Sequence, residues 1–173
     1  MNILITGVQN MIKDSTVKLA LERIEGKVKL KVLSFSDFAE EEGSGELQLL
    51  KSTQKKLTES IQLKMIESGP HHIVINGYCT VSTRLGYVPV ITKESVNIFR
   101  PDLIACIETD PVALPKLENP KEFQEHQLIE RQFSVLFALR SGAAIKIIRS
   151  GKEGAREGAD KLFSLLKEAL VPR

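Results

Sequence analysis

Five short apolar runs, each separated from the next by a stretch of helical period, constrain this chain more than any other feature. Asn2–Thr6, Lys27–Phe35, His72–Asn76, Leu103–Ile107 and Ala144–Ile148 read as strands. Within the second, Lys27, Lys29 and Lys31 alternate with Val28, Leu30 and Val32, which predicts an edge strand with its lysine face wet. Between the strands, Val17, Ala20, Leu21 and Ile24 recur at helical spacing over Asp14–Ile24. Leu47, Leu50, Leu57, Ile61 and Met65 mark a long helix that opens after Gly43-Ser-Gly45 and stops at Gly69-Pro70. Val90–Phe99 predicts a helix ending before Arg100-Pro101, and Glu125–Leu139 another, with Ile129, Phe133 and Leu136 inward and Gly142 as its C-cap. Glu153–Leu170 is a last amphipathic helix, while Gly77–Gly86 and Asp110–Pro120 read as loops. Strand and helix in alternation predict an α/β protein, a parallel five-stranded sheet with helices on both faces. In such sheets ligands sit at the carboxyl ends of the strands, so function is sought in the residues just after each one.

Composition narrows the classes. A chain of 173 residues fits one domain, residues 1–173, with no linker or repeat dividing it. The 24 Lys and Arg against 22 Asp and Glu leave a net charge of +2, too little excess for a dedicated nucleic-acid binder. No apolar run approaches the roughly 20 residues of a membrane helix, and the opening MNILITGVQN lacks the basic start of a signal peptide. A cytoplasmic protein without membrane contact is expected. Cys79 and Cys106 form neither a disulfide framework nor a metal cluster and read as buried free thiols; no His, Cys and Asp grouping has metal-ligand spacing.

The loop after the first strand, Gly7–Ser15, reads GVQNMIKDS. Against the phosphate-loop template GxxxxGK[ST], Gly7 and Lys13 fall in register, but Ile12 replaces the second glycine and Asp14 the Ser/Thr that ligates magnesium. A β-branched residue resists the backbone that wraps a phosphate, and the Asp14 carboxylate is placed to cap the helix itself and to repel an anion.

Together the post-strand segments resemble archaeal-type adenylate kinases from end to end. ILITGVQNMIKDST is similar to that family's strand and Gly-rich phosphate loop. HIVINGYCTVSTRLGYVP (His72–Pro89) resembles its strand ending in Asp-Thr-His, followed by Gly-Tyr-Leu-Pro. FRPDLIACIETDP (Phe99–Pro111) resembles its next strand, and EHQLIERQFSVLFALRSGAAIKII (Glu125–Ile148) its Arg-bearing helix, Thr-Gly-Ala turn and Val-Lys-Ile-Ile strand. The resemblance implies a three-layer P-loop nucleoside-monophosphate-kinase-like fold. It also implies transfer of the γ-phosphoryl of ATP to AMP, with ATP and magnesium as cofactors, and either homo-oligomers or a protein partner.

Carried over residue by residue, it places nucleotide binding on Gly7, Lys13, Asp14, Ser15, Tyr87 and Arg131, with Lys13 and Arg131 acting on the transferring group. The departures are concentrated there. Asn10 and Ile12 stand for glycines, Asp14 for Ser or Thr, Asn76 for the acidic residue after the third strand, Tyr78 for its His, and Leu47 for an Arg. Val90 and Thr92 replace the Gly and Pro that follow Gly-Tyr-Leu-Pro. The Arg-rich lid is reduced to a short remnant, 111–124, with no Arg between Arg100 and Arg131. Losing the groups that stabilise transferring charge costs orders of magnitude in rate, so the expected function is lost or weak phosphotransfer with residual nucleotide binding. An active kinase with Asp14 on magnesium and a non-enzymatic interaction scaffold are the alternatives. Single residues have plainer readings too: Lys13 as a solvated lysine, Arg131 in an ion pair with Glu125, Glu130 or another acidic neighbour, and Tyr87 packed on the adjacent helix.

Overall fold

The computed structural model describes residues 1–35, 46–69 and 71–171, without the side chains of 46–49; Gly43-Ser-Gly45, Pro70 and the Leu47 side chain lie outside that description. Among the described residues, seven strands and five helices follow one another as β1 (Asn2–Thr6), α1 (Met11–Glu25), β2 (Leu30–Ser34), α2 (Glu46–Glu67), β3 (His72–Asn76), β4 (Thr80–Thr83), β5 (Gly86–Pro89), α3 (Lys93–Phe99), β6 (Leu103–Thr109), α4 (Pro120–Ser141), β7 (Ala144–Ser150) and α5 (Ala155–Leu170). The five predicted strands form one sheet in the order β2-β3-β1-β6-β7, every pair parallel.

Strands buried on both faces supply two cores. On one face Ile3, Ile5, Val74, Ala105, Ile107 and Ile148 pack under Val17, Ala20 and Ile24 of α1 and Leu162, Leu166 and Leu170 of α5. On the other, Leu4, Leu33, Ile73, Ile75 and Ile104 pack under Leu57 and Ile61 of α2, Val96 and Phe99 of α3 and Phe137 of α4. The result is the three-layer arrangement expected of the pattern.

Several local readings are corrected. Helix α1 begins at Met11 and is capped by Asn10, not by Asp14, because the amide-bearing side chain four residues upstream reaches the free N–H groups first. The segment read as a loop contains a hairpin, β4 paired antiparallel to β5 through a tight turn at Arg84-Leu85. Its Thr and Val residues favour a pleated strand over a polar loop. Helix α4 starts at Pro120, with Asn119 as cap, so the lid remnant is shortened further. In β2 it is Leu33 that is buried and Val32 that is exposed. The residues facing α2 are Lys31, Leu33 and Phe35, and Lys31 lies along that face with its ammonium on the carbonyl of Glu67. Leu136 of α4 points outward, 56 % exposed, whereas Glu130 is 1 % exposed on the sheet side.

Candidate functional site

The carboxyl ends of β1, β3 and β6 converge on the loop Gly7–Asn10 and the first turn of α1. Gly7 is the residue the site cannot change. Its φ is +140°, and a Cβ there would collide with the carbonyl oxygen of Ile107 in β6.

The next residues close the loop on itself. Asn10 Oδ1 accepts from the amides of Ile12 and Lys13, each at 2.9 Å, and Asn10 Nδ2 donates to the Val8 carbonyl at 2.8 Å. These are N–H groups that a helix N-terminus otherwise offers to an anion. Gln9 Nε2 donates to both oxygens of Asp14, at 3.2 and 3.0 Å, so that carboxylate lies across the mouth of the turn. Ser15 is exposed on the following turn.

Lys13 is neither solvated nor reaching toward the loop. It is 1 % exposed and its ammonium donates at 2.7 Å to the carbonyl of Gly77, just past β3. Gly77 permits this because the Phe35 ring lies where its Cβ would be. Burial pushes the Lys13 ammonium below its usual range, and the Asp14 and Glu130 carboxylates pull it partly back.

Glu130 was not singled out by the sequence, yet it is the best-anchored group in the site. Its Oε1 accepts from the amides of Gly7, at 3.2 Å, and Cys79; its Oε2 accepts from the Thr80 amide at 2.9 Å and the Thr80 hydroxyl at 2.8 Å. One carboxylate thus takes the backbone donors at the ends of both β1 and β3. Burial, then the Glu130 charge, pushes the Cys79 thiol well up, and burial pushes Cys106 up to about 11. Both sulfurs are inert thiols in the wall of the site.

Arg131, the next residue along α4, points the other way and forms an ion pair with Glu108 of β6 through Nε and Nη2. Arg149 Nε meets the second Glu108 oxygen at 3.1 Å. The acidic neighbour is therefore neither Glu125 nor Glu130 but Glu108, 8 % exposed and shared by two arginines. Tyr87, on the hairpin, lies against His126 of α4 with ring centroids 4.8 Å apart. Its adjacent-helix reading is the contact present, and His126 Nε2 lies 3.2 Å from the Thr80 hydroxyl. Beside α1 a cleft of about 300 Å³ is lined by Gln9, Asp14, Lys18, Ser34, Phe35 and Asn76. Asn76 Oδ1, at the position where the resemblance expects an acid, is buried there with no partner among the described residues. Among those residues no group of three or more His, Cys, Asp or Glu could hold a metal ion.

What could have revealed Glu130 is its spacing. Glu130, Ser134, Phe137 and Ala138 share one helical face, and three of the four are small or apolar. Asn10 carried a signal as well, being a preferred N-cap residue set just before a helical period.

No family model matches the chain. In sequence it is similar throughout to archaeal proteins named adenylate kinase. It is 25% identical to that of Methanococcus vannielii, over 95% of this chain and 97% of the other. It is 27% identical to that of Pyrococcus horikoshii over 97% and 96%, and 27% to that of Methanoculleus marisnigri over 95% and 97%. Among solved structures, the thymidylate kinase of Candida albicans superimposes with a TM-score of 0.60 at 14% identity, covering 97% of this chain and 91% of that one. A GTPase in apo form from Pyrococcus abyssi gives 0.53 at 15%, covering 93% and 71%. The fold is that of the P-loop kinases, and the adenylate-kinase resemblance runs the length of the chain.

Proposed function

We propose that this adenylate-kinase-like chain has lost ATP:AMP phosphotransfer, or keeps it only weakly, and binds nucleotide at most residually. The observation that carries the reading is the closed loop: Asn10 Oδ1 sits on the amides of Ile12 and Lys13, while the Lys13 ammonium is committed to the Gly77 carbonyl. A triphosphate needs those amides and that ammonium together. The residues present do not fit it. Asp14, the one carboxylate offered to a metal by the alternative of an active kinase, is engaged by Gln9. Arg131 is a binding residue only if it leaves Glu108.

Calorimetric titration with MgATP, and separately with AMP, tests the reading. No heat of binding at micromolar nucleotide is expected, together with no ADP formation above that of an Asp14→Ala variant. ATP binding of micromolar strength, or turnover that Asp14→Ala removes, would overturn it.

A further inference from the structure

The hairpin of β4 and β5 stands apart from the main sheet, and away from Thr80 its strands are half-buried or exposed. A two-stranded hairpin is marginally stable by itself, so its order depends on what fastens it to the rest of the chain. His126 of α4 is one such fastening. Its Nε2 lies 3.2 Å from the Thr80 hydroxyl oxygen and 3.3 Å from the Thr80 carbonyl oxygen, and its ring lies against that of Tyr87. Beneath it, Glu130 accepts from the Thr80 amide and hydroxyl. Because the Thr80 hydroxyl donates to Glu130 and the carbonyl only accepts, His126 Nε2 carries the hydrogen and Nδ1 is the nitrogen open to a further proton.

We propose that His126 is a proton-operated clasp, holding the β4–β5 hairpin against α4 more tightly when charged than when neutral. A proton on Nδ1 leaves the Nε2–H in place and makes both of its contacts with Thr80 charge-assisted. It also sets a cation against the Tyr87 ring, whose centroid is 4.8 Å away, within the range of a cation–π contact. The surrounding charges agree. Glu122 and Glu130 stand four residues before and after His126, on the same side of α4, and Glu125 is its neighbour in the chain. The hairpin brings one charged residue, Arg84 at its turn, and the Lys13 ammonium is buried near Glu130. Three carboxylates outnumber those two cations. Glu122 and Glu125 are exposed and screened by salt, which keeps the effect small.

Histidine is the side chain that ordinarily changes charge between about pH 5 and 8. His71 and His72 stand at the start of β3, at the end of the sheet away from the hairpin, so His126 alone is placed to act on it. The clasp reaches the site because Thr80 is shared. Glu130, which holds Thr80 from beneath, also accepts from the amides of Gly7 and Cys79, so the strand end that His126 fastens is tied to the loop after β1. Acid therefore fastens the hairpin and a rise in pH loosens it, while the main sheet is left as it is. The inference concerns the order of the hairpin and holds whether or not nucleotide binds.

Amide hydrogen exchange of the full chain tests this, followed residue by residue by NMR between about pH 5.5 and about pH 8 and divided by the intrinsic rates. Protection of the amides from Val81 to Val88, measured against those of β1 and β6, is expected to be about threefold higher at the acid end, the scale of one cation–π contact with weak helical pairs. His126→Gln keeps a donor for Thr80 but cannot take up the charge, and is expected to abolish the difference. In the wild type alone, the Thr80 and Tyr87 amide signals are expected to move with the midpoint of the His126 ring, a readout that does not depend on any variant folding. Hairpin protection that is flat or falls toward acid, a difference that survives in His126→Gln, or amide signals with a midpoint unlike that of the ring would each overturn the proposal.

Discussion

Replacing Glu130 by Ala removes the acceptor for three backbone amides, those of Gly7, Cys79 and Thr80, and for the Thr80 hydroxyl. It also takes away a negative charge that offsets the buried Lys13 ammonium. Breaking a buried charge pair by deleting one partner costs about 3–5 kcal/mol, mostly for what is left unpaired. A domain of this size has about 5–15 kcal/mol in all. At about 2–4 °C per kcal/mol, melting is expected to fall by about 6–20 °C. Glu130→Gln keeps the shape and one oxygen, but turns an NH₂ toward amide donors, and is expected to lose about half as much. Thermal and urea melts followed by circular dichroism at neutral pH read both. A Glu130→Ala loss below about 1 kcal/mol, the ordinary effect of a point substitution, would refute the claim that this carboxylate holds the loops together.

Two further outcomes follow from the same cluster. With both thiols buried and pushed up, neither Cys79 nor Cys106 is expected to react with an aromatic disulfide reagent in the native protein at pH 8, whereas both titrate in denaturant; prompt native labelling would contradict the burial. Lys13 has a folded-state pKa lowered from 10.5, so the unfolded chain holds that proton more tightly. Its cost is fully present below the folded value and is relieved as pH rises toward 10.5. The stability of the wild type relative to Lys13→Met is therefore expected to climb through that window, and a flat difference would show the ammonium to be solvated.

The architecture was legible because it depends on pattern. Ile3, Ile5, Val74 and Ile104 are buried whichever neighbours they meet, so period and punctuation suffice to place β1, β3 and β6. The site was legible only in part. The mismatch of Ile12 and Asp14 with a phosphate loop is visible in the sequence, but which side chain fills the space instead is a matter of tertiary reach. Lys13 finds Gly77, 64 residues away, and Gly7 finds Glu130, 123 residues away. Leu136 and Val32 were misplaced for the converse reason. Apolar character alone does not fix burial: an apolar residue on a helix or edge strand turns inward only where another element covers it.

The contact between α1 and α5 carries a consequence for how the chain is made. Gly158 lets the two helices approach until a Cβ would meet Thr16, and the Thr16 hydroxyl donates to the carbonyl of Ala155, 139 residues further on, at 3.2 Å. The flank of α1 that meets α5 therefore stays uncovered until the last helix emerges, roughly 7–28 s later at ordinary rates of synthesis. During that interval Val17, Ala20 and Ile24 have only the strands beneath them. Because so much of the closing contact is distant in sequence, folding is slow relative to a local helical bundle. Chains cut short before Ala155 are left with one sheet face bare over β7, and exposed apolar surface of that kind favours aggregation.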